Sequence, residues 1–131
     1  MTNIVKYLPY ALGAGLIFFG VQKFGAENLV FEIIAERSGI DLFEPLVRRL
    51  TGIAEILTGL LLFVPRTQKL ASLGSFAILL GAIGFHLSPW LGINVPGIGH
   101  GLFFTAEIML ILNAVMLSRY LNTRWTLMAQ A

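Results

Sequence analysis

Two acidic side chains, Glu55 and Glu107, interrupt long apolar stretches of the sequence. A charged group near the centre of a membrane costs about 3 kcal/mol or more, so each glutamate needs a charged partner, water or a proton. Carboxyl groups in such places accept and release protons, and a histidine such as His86 can relay them. We therefore take Glu55, Glu107 and His86 as the candidate catalytic residues, with Lys23 or Arg48 as a counter-charge.

Helical spacing indicates which residues share a face with these groups. Residues one or two turns from Glu55 form a small and polar stripe that should face other helices, and they include Arg48, Thr51, Gly52, Thr58 and Gly59. In the last apolar stretch, His100 lies about two turns from Glu107 on the same face. We expect Lys23, Arg48, Thr51, Thr58 and His100 to be ligand-binding residues.

Depth also favours a common site. Lys23 and His86 fall near one predicted membrane boundary, with Glu55 and Glu107 about two turns deeper. Each of the four apolar stretches thus supplies an ionisable residue to the same half of a bundle. Simple structural roles compete with this interpretation: Lys23 can extend its ammonium to water as an end anchor, and either histidine can bond a loop carbonyl.

The composition requires a membrane setting. The chain has 131 residues, of which 56% are hydrophobic and 12% charged, too few polar residues to cover a soluble domain of this size. The length allows one domain with at most about four spans. The apolar runs predict spans over residues 7–24, 46–64, 70–87 and 101–117.

The connections have their own signals. Pro65 and the basic residues after it predict a tight link between the second and third spans, and the Pro/Gly-rich residues 88–100 predict an irregular loop before the fourth. Residues 27–38 have the spacing of a short amphipathic helix on the membrane surface. Asp41 and Glu44 match a capping box that would start the next helix. The sequence thus predicts an all-α integral membrane four-helix bundle of two helical hairpins, with an interfacial helix between the first two spans.

Several classes of function are excluded or disfavoured. The chain has no cysteine, which excludes disulfides, thiolate ligands and cysteine nucleophiles. Its net charge is +2, but the basic residues are scattered at the predicted boundaries and form no patch for nucleic acid. The histidines and glutamates lack metal-ligand spacing, so we predict no metal.

Basic residues predict the orientation. One side of the membrane holds both termini and five basic residues with no acidic one, and the other holds four basic residues among five acidic ones. The first group is Lys6, Arg66, Lys69, Arg119 and Arg124. The positive-inside rule then places both termini in the cytoplasm, in an inner membrane if the source is bacterial.

A short internal repeat accompanies this arrangement. Residues 54–56 and 106–108 are both Ala-Glu-Ile. They fall on the inward-running helix of each predicted hairpin, which suggests two parallel two-helix repeats. Glycines also recur at seven-residue spacing, as in Gly13 and Gly20, Gly52 and Gly59, or Gly74 and Gly81, a pattern typical of close helix packing.

The sequence resembles the DoxX-like family of small four-helix membrane proteins. The resemblance covers nearly the whole chain and rests on short motifs: Phe-Gly-Val-Gln-Lys-Phe at 19–24, Leu-Thr-Gly-Ile-Ala-Glu-Ile-Leu-Thr-Gly-Leu-Leu-Leu at 50–62, His86, and Ala106-Glu107. It implies a four-helix bundle associated with membrane redox systems, because the family is named after a subunit of a quinone-reducing sulfur oxidoreductase. It supplies no established catalytic residues.

Three functions follow as hypotheses. The first is an inner-membrane, non-catalytic subunit of a quinone-linked oxidoreductase that contacts a redox protein partner and offers a quinone or proton site. The second is a carrier or binding protein for a small solute, ion or lipid, acting as a homo-oligomer because one small bundle encloses little volume. The third is an assembly factor in which the polar residues only fix helix register.

Overall fold

The computed structural model of the chain describes residues 2–25 and 28–130, with side chains described at 4–25 and 28–122. The described residues form five α-helices and no strand, which confirms the all-α prediction. The helices are α1 (Thr2–Gln22), α2 (Leu29–Ser38), α3 (Leu46–Leu62), α4 (Gln68–Leu87) and α5 (Gly101–Gln130). Two short 3-10 helices, Asp41–Phe43 and Pro65–Thr67, precede α3 and α4. The last helix extends well past the predicted end at Leu117.

Within the described part of the chain, three segments are long and apolar enough to cross a membrane, namely Ile4–Gln22, Pro65–Leu87 and Gly101–Asn122. The predicted second span is not among them. Its helix, α3, has only 17 residues and carries Arg48, Arg49 and Glu55, whereas a spanning helix needs about 20 predominantly apolar residues. The chain is therefore a multi-pass membrane protein in which the shortest of the four long helices has the highest fraction of charged residues.

The packing of α1 on α3 depends on glycine. A β-carbon at Gly13 would lie 2.7 Å from the carbonyl oxygen of Gly59, and one at Gly20 would lie 2.9 Å from that of Gly52. The same contacts hold in reverse, so the two backbones touch at two levels. Gly81 differs, because nothing lies within 4 Å of its β-carbon position. Two of the three predicted glycine pairs therefore make the close approach.

The other long helices complete a ring of contacts: α4 packs on α5, α3 also meets α4, and α1 also meets α5. A core of leucines fills the half near the chain termini, including Leu8, Leu12, Leu16 and Leu62. Asn113 is fully buried there and donates a hydrogen bond to the carbonyl of Ser72 (3.0 Å), which ties α5 to α4.

The short helix α2 covers one end of this arrangement. It begins after Asn28, whose side chain accepts a hydrogen bond from the Phe31 amide (3.3 Å), and ends at Gly39 in the left-handed conformation (φ 72°). Its buried Ile33 and Ile34 pack with Leu91 and Val95 of the Pro/Gly loop. The buried part of its apolar face therefore contacts the protein itself, and the contact of this helix with a membrane surface stays a prediction. The predicted start at Glu27 lies outside the described residues.

The predicted capping box is wrong. Asp41 opens the 3-10 helix, and α3 begins only at Leu46, after Pro45, with no side-chain cap. Glu44 has extended backbone and binds Arg48 instead. The carboxylate of Glu44 is thus directed toward a guanidinium one helical turn ahead and not back to the amide of Asp41.

We expect Gly59→Ala to destabilise the protein by about 1 to 3 kcal/mol, because the new methyl group would lie 2.7 Å from a backbone oxygen that cannot move away easily. The measurement is the melting temperature in detergent. Gly84→Ala is the control, since nothing lies within 4 Å of a β-carbon there. Alanine is the better helix former by about 1 kcal/mol. Equal melting temperatures for the two variants would contradict the close contact.

Candidate functional site

A cavity of about 500 Å³ lies at the end of the helices where α1 and α4 finish and α3 and α5 begin. Most of its wall is apolar. The polar side chains in the wall are Gln22, Lys23, Asn28, Thr51, Glu55, His86 and Thr105. Three of the predicted site residues from three different helices or their ends, Lys23, Glu55 and His86, thus line one space.

An ion pair between Lys23 and Glu55 forms the charged part of the wall. The Lys23 ammonium lies 2.8 and 3.0 Å from the two carboxylate oxygens and 3.3 Å from the carbonyl of Phe19. The two side chains are only 14% and 10% exposed. Lys23 directly follows α1, and the contact between Gly20 and Gly52 brings that end of α1 against α3. The carboxylate therefore enters the interior with its charge neutralised.

Arg48 is nearly fully buried, with 1% exposure, but it does not line the cavity. Its guanidinium donates to the carbonyls of Lys23 (2.8 Å) and Gly25 (2.6 Å) and to the carboxylate of Glu44 (2.8 Å). The last carbonyls of a helix lack partners within the helix and attract cations. Arg48 thus holds the end of α1 in place, and the prediction that it binds a ligand or balances Glu55 is corrected, because its counter-charge is Glu44.

His86 is 6% exposed and reaches the cavity from the last turn of α4. Its Nδ1 lies 3.0 Å from the carbonyl oxygen of Gly92, and its ring meets the ring of Phe103 edge-on at 5.7 Å. A carbonyl only accepts, so Nδ1 carries a proton, and in the neutral ring Nε2 then offers its lone pair. Within the described part of the chain, no residue donates to Nε2.

The two threonines of α3 differ in their position relative to the cavity. Thr51 lines the cavity, and its hydroxyl donates to the carbonyl of Val47 (2.8 Å). Thr58 lies one turn beyond the cavity, where its side chain would meet a β-carbon at Gly74 at 3.7 Å. Thr58 therefore packs α3 against α4 and is not part of the cavity wall.

Glu107 and His100 do not join the site. Neither lines the cavity, although Ala106, the residue before Glu107, does. Glu107 is half-buried on α5, and no residue with a described side chain pairs with its carboxylate. His100 is exposed beside Phe104, with ring centres 6.3 Å apart. The Ala-Glu-Ile repeat thus has one glutamate in the cavity wall and one outside it.

Sequence reasoning missed four polar residues of this region. Gln22, Asn28 and Thr105 line the cavity, and Glu44 pairs with Arg48. The four-residue spacing of Glu44 and Arg48 is typical of a helical ion pair and could have revealed the last contact. Among the described residues, no three acidic or histidine side chains cluster as metal ligands.

Comparison with known proteins gives one family. A family model described as "Methylamine utilisation protein MauE" matches residues 1–118. No curated protein and no solved structure matches the chain. The matched range contains all the residues that line the cavity.

We expect the Lys23–Glu55 pair to behave as a unit. Lys23→Met alone or Glu55→Leu alone leaves an unpaired buried charge and should cost about 3 kcal/mol of unfolding free energy. The double variant should cost less than the sum, with a coupling energy of about 1 to 3 kcal/mol. Denaturant titration of the four proteins in detergent measures this cycle. Additive costs would show that the two side chains do not interact.

Proposed function

The chain belongs to the MauE family of methylamine utilisation proteins, and from this premise we propose that it is a membrane subunit of a redox system whose cavity offers a quinone site linked to proton transfer. Using methylamine as a nutrient requires oxidation of its carbon, and the electrons released must reach a carrier. Quinones are the carriers that dissolve in the bilayer, where the long helices of this chain lie. A redox protein partner would supply the catalysis.

The observation that carries this proposal is the set of side chains that line the cavity. An apolar space of about 500 Å³ suits a ring with apolar substituents, as ligand sites generally do. At its polar end, the Nε2 of His86 can accept a proton from a ring hydroxyl. Glu55 and Lys23 lie in the same wall and offer a second group for protons to reach.

The same charges disfavour the carrier hypothesis for cations. A site that selects a cation such as methylammonium needs an uncompensated carboxylate or an aromatic cage. Here the carboxylate of Glu55 is already paired with Lys23 (2.8 Å), and Glu107 lies outside the cavity. The cavity as built is therefore better matched to a neutral ligand.

We further propose that α3 crosses the membrane with α1, α4 and α5 as a four-helix bundle of two hairpins. The ring of helix contacts supports this arrangement. It would also account for the resemblance to the DoxX-like family as a shared architecture.

The proposed topology has both termini in the cytoplasm of a bacterial inner membrane. Two of the four basic residues on the proposed outer side, Lys23 and Arg48, form ion pairs within the protein. That leaves Arg37 and Arg49 outside, against Lys6, Arg66 and Lys69 inside, which keeps the bias in the predicted direction. The side chain of Arg124 lies outside the described residues.

The absence of native cysteine allows a direct test of topology. Asn94→Cys, in the exposed loop before α5, should react with a membrane-impermeant maleimide in intact cells. Val64→Cys, in the exposed turn between α3 and α4, should react only after the membrane is opened. The reverse labelling pattern would contradict the orientation, and labelling of both from outside would contradict the span count.

His86→Asn tests the quinone site. Asparagine can still donate to the carbonyl of Gly92 but lacks the acceptor at Nε2, so we expect about a tenfold weaker interaction with a quinol, the worth of one good hydrogen bond. The measurement is labelling of the protein in nanodiscs by a photoreactive azidoquinol, with labelled peptides mapped by mass spectrometry. His100→Asn is the matched control, since His100 does not line the cavity.

The same variants give a physiological readout. In a host that depends on this chain for growth on methylamine, His100→Asn should restore growth and His86→Asn should not. Full growth with His86→Asn, or unreduced labelling of the cavity, would overturn the assignment of His86 to the site.

A further inference from the structure

A roof of buried apolar side chains covers the cavity toward the aqueous end of the helices. The roof consists of Phe31 and Ile34 of α2 and Leu91 of the loop after α4. Their exposed fractions are 7%, 1% and 2%. Arg37 fastens α2 to this loop by donating to the carbonyls of Trp90 (3.4 Å) and Leu91 (3.3 Å). A ligand therefore has no wide route into the cavity through the roof.

The side of the cavity is open between α3 and α4. Four residues of these two helices line the cavity and are also exposed, namely Leu50, Ala54, Ala77 and Gly81. Three of these four residues are alanine or glycine, the two smallest residue types. A β-carbon at Gly81 would meet nothing within 4 Å. Below this gap, Thr58 and Gly74 bring the two helices together again.

The surface around the gap is apolar. Leu57 on α3 and Leu73 and Leu80 on α4 are 56%, 48% and 47% exposed. In a membrane protein, such a surface contacts the hydrocarbon of the bilayer. The gap therefore connects the cavity with lipid and not with water.

The free hydrogen-bonding capacity of the buried polar groups in the cavity consists of acceptors, whereas the free amide donors of the wall belong to Gln22, which is exposed, and Asn28, which is half-buried. The Lys23 ammonium is directed to Glu55 and the Phe19 carbonyl, and the Thr51 hydroxyl donates to Val47. Nε2 of His86 and the remaining lone pairs of the Glu55 carboxylate are left to accept. Polar groups in an apolar cavity favour a ligand that completes their bonding, so the head of the ligand should carry a hydroxyl donor.

From the apolar roof, the lateral gap and these acceptors, we infer that the cavity takes a lipid-soluble quinol whose hydroxylated ring lies inside and whose hydrocarbon tail leaves through the gap between α3 and α4. This rests on the proposed function and adds to it the reduced form of the ligand and its route from the bilayer. Binding requires no soluble carrier, because the ligand already partitions into the hydrocarbon.

Gly81→Trp tests the route, because an indole at this position would fill the gap where the tail must pass. The probes are two photoreactive azidoquinols with the same ring, one with a long isoprenoid tail and one with no tail. Labelling is compared in nanodiscs at several probe concentrations. Gly84→Trp is the matched control, since Gly84 is also exposed with nothing within 4 Å of its β-carbon position but does not line the cavity.

We expect Gly81→Trp to weaken labelling by the tailed probe by about tenfold or more, because the indole would clash with the tail. Labelling by the tailless probe should change little. Gly84→Trp should leave both probes unaffected. Undiminished labelling of Gly81→Trp by the tailed probe would overturn the inference, and so would equal loss of both probes in Gly81→Trp and in a second variant, Ala77→Trp. Failure of the proposed function looks different: neither probe would label the cavity of the unmodified protein.

Discussion

The contact between the backbones of α1 and α3 is the constraint on which the rest of the site depends. Because Gly20 and Gly52 carry no side chains, the helices approach until a β-carbon on either would lie 2.9 Å from the other's carbonyl oxygen. Only this approach lets Lys23 at the end of α1 reach Glu55 in the middle of α3. The ion pair in turn makes a carboxylate tolerable in an apolar interior, where an unpaired one would be expelled or protonated.

The cavity lies on the side of α3 that does not make this close contact. One flank of α3 makes the glycine contact with α1, and the other faces α4, which it contacts near Thr58 and Gly74 and near the connecting turn, where Gln68 donates to the carbonyl of Leu62 (3.0 Å). Toward the other end, α3 and α4 are separated by the cavity, and α2 with Leu91 covers the space. Tight packing on one side of a single helix and an open space on its other side thus give a rigid wall with a charged pair in it.

Depth was predictable from the sequence, whereas rotation about the helix axis was not. Spacing along the apolar runs placed Lys23, Glu55 and His86 at one end, and the structure brings these three to one cavity. The same reasoning included Glu107, but a residue can lie at the right depth and still point away, as Glu107 does while Ala106 lines the wall. An Ala-Glu-Ile match carries no information on which face of each helix meets its neighbours.

Local signals failed where distant residues compete for the same group. Asp41 and Glu44 have capping-box spacing, yet Glu44 binds Arg48, a charged partner that forms a stronger bond than a backbone amide. The amphipathic pattern of α2 correctly indicated a buried apolar face. Its partner, the Leu91 and Val95 region, lies more than fifty residues further along the chain, beyond the reach of any periodicity.

The charged residues of α3 also bear on how the chain enters the bilayer in the proposed four-span topology. A helix of 17 residues with two arginines and a glutamate is a poor substrate for independent insertion. Paired with α1, it carries Glu55 neutralised by Lys23 and Arg48 neutralised by Glu44. Insertion of α3 is then a cooperative event with α1, and the first two long helices of the chain would have to enter the membrane as one unit while the polypeptide is being made.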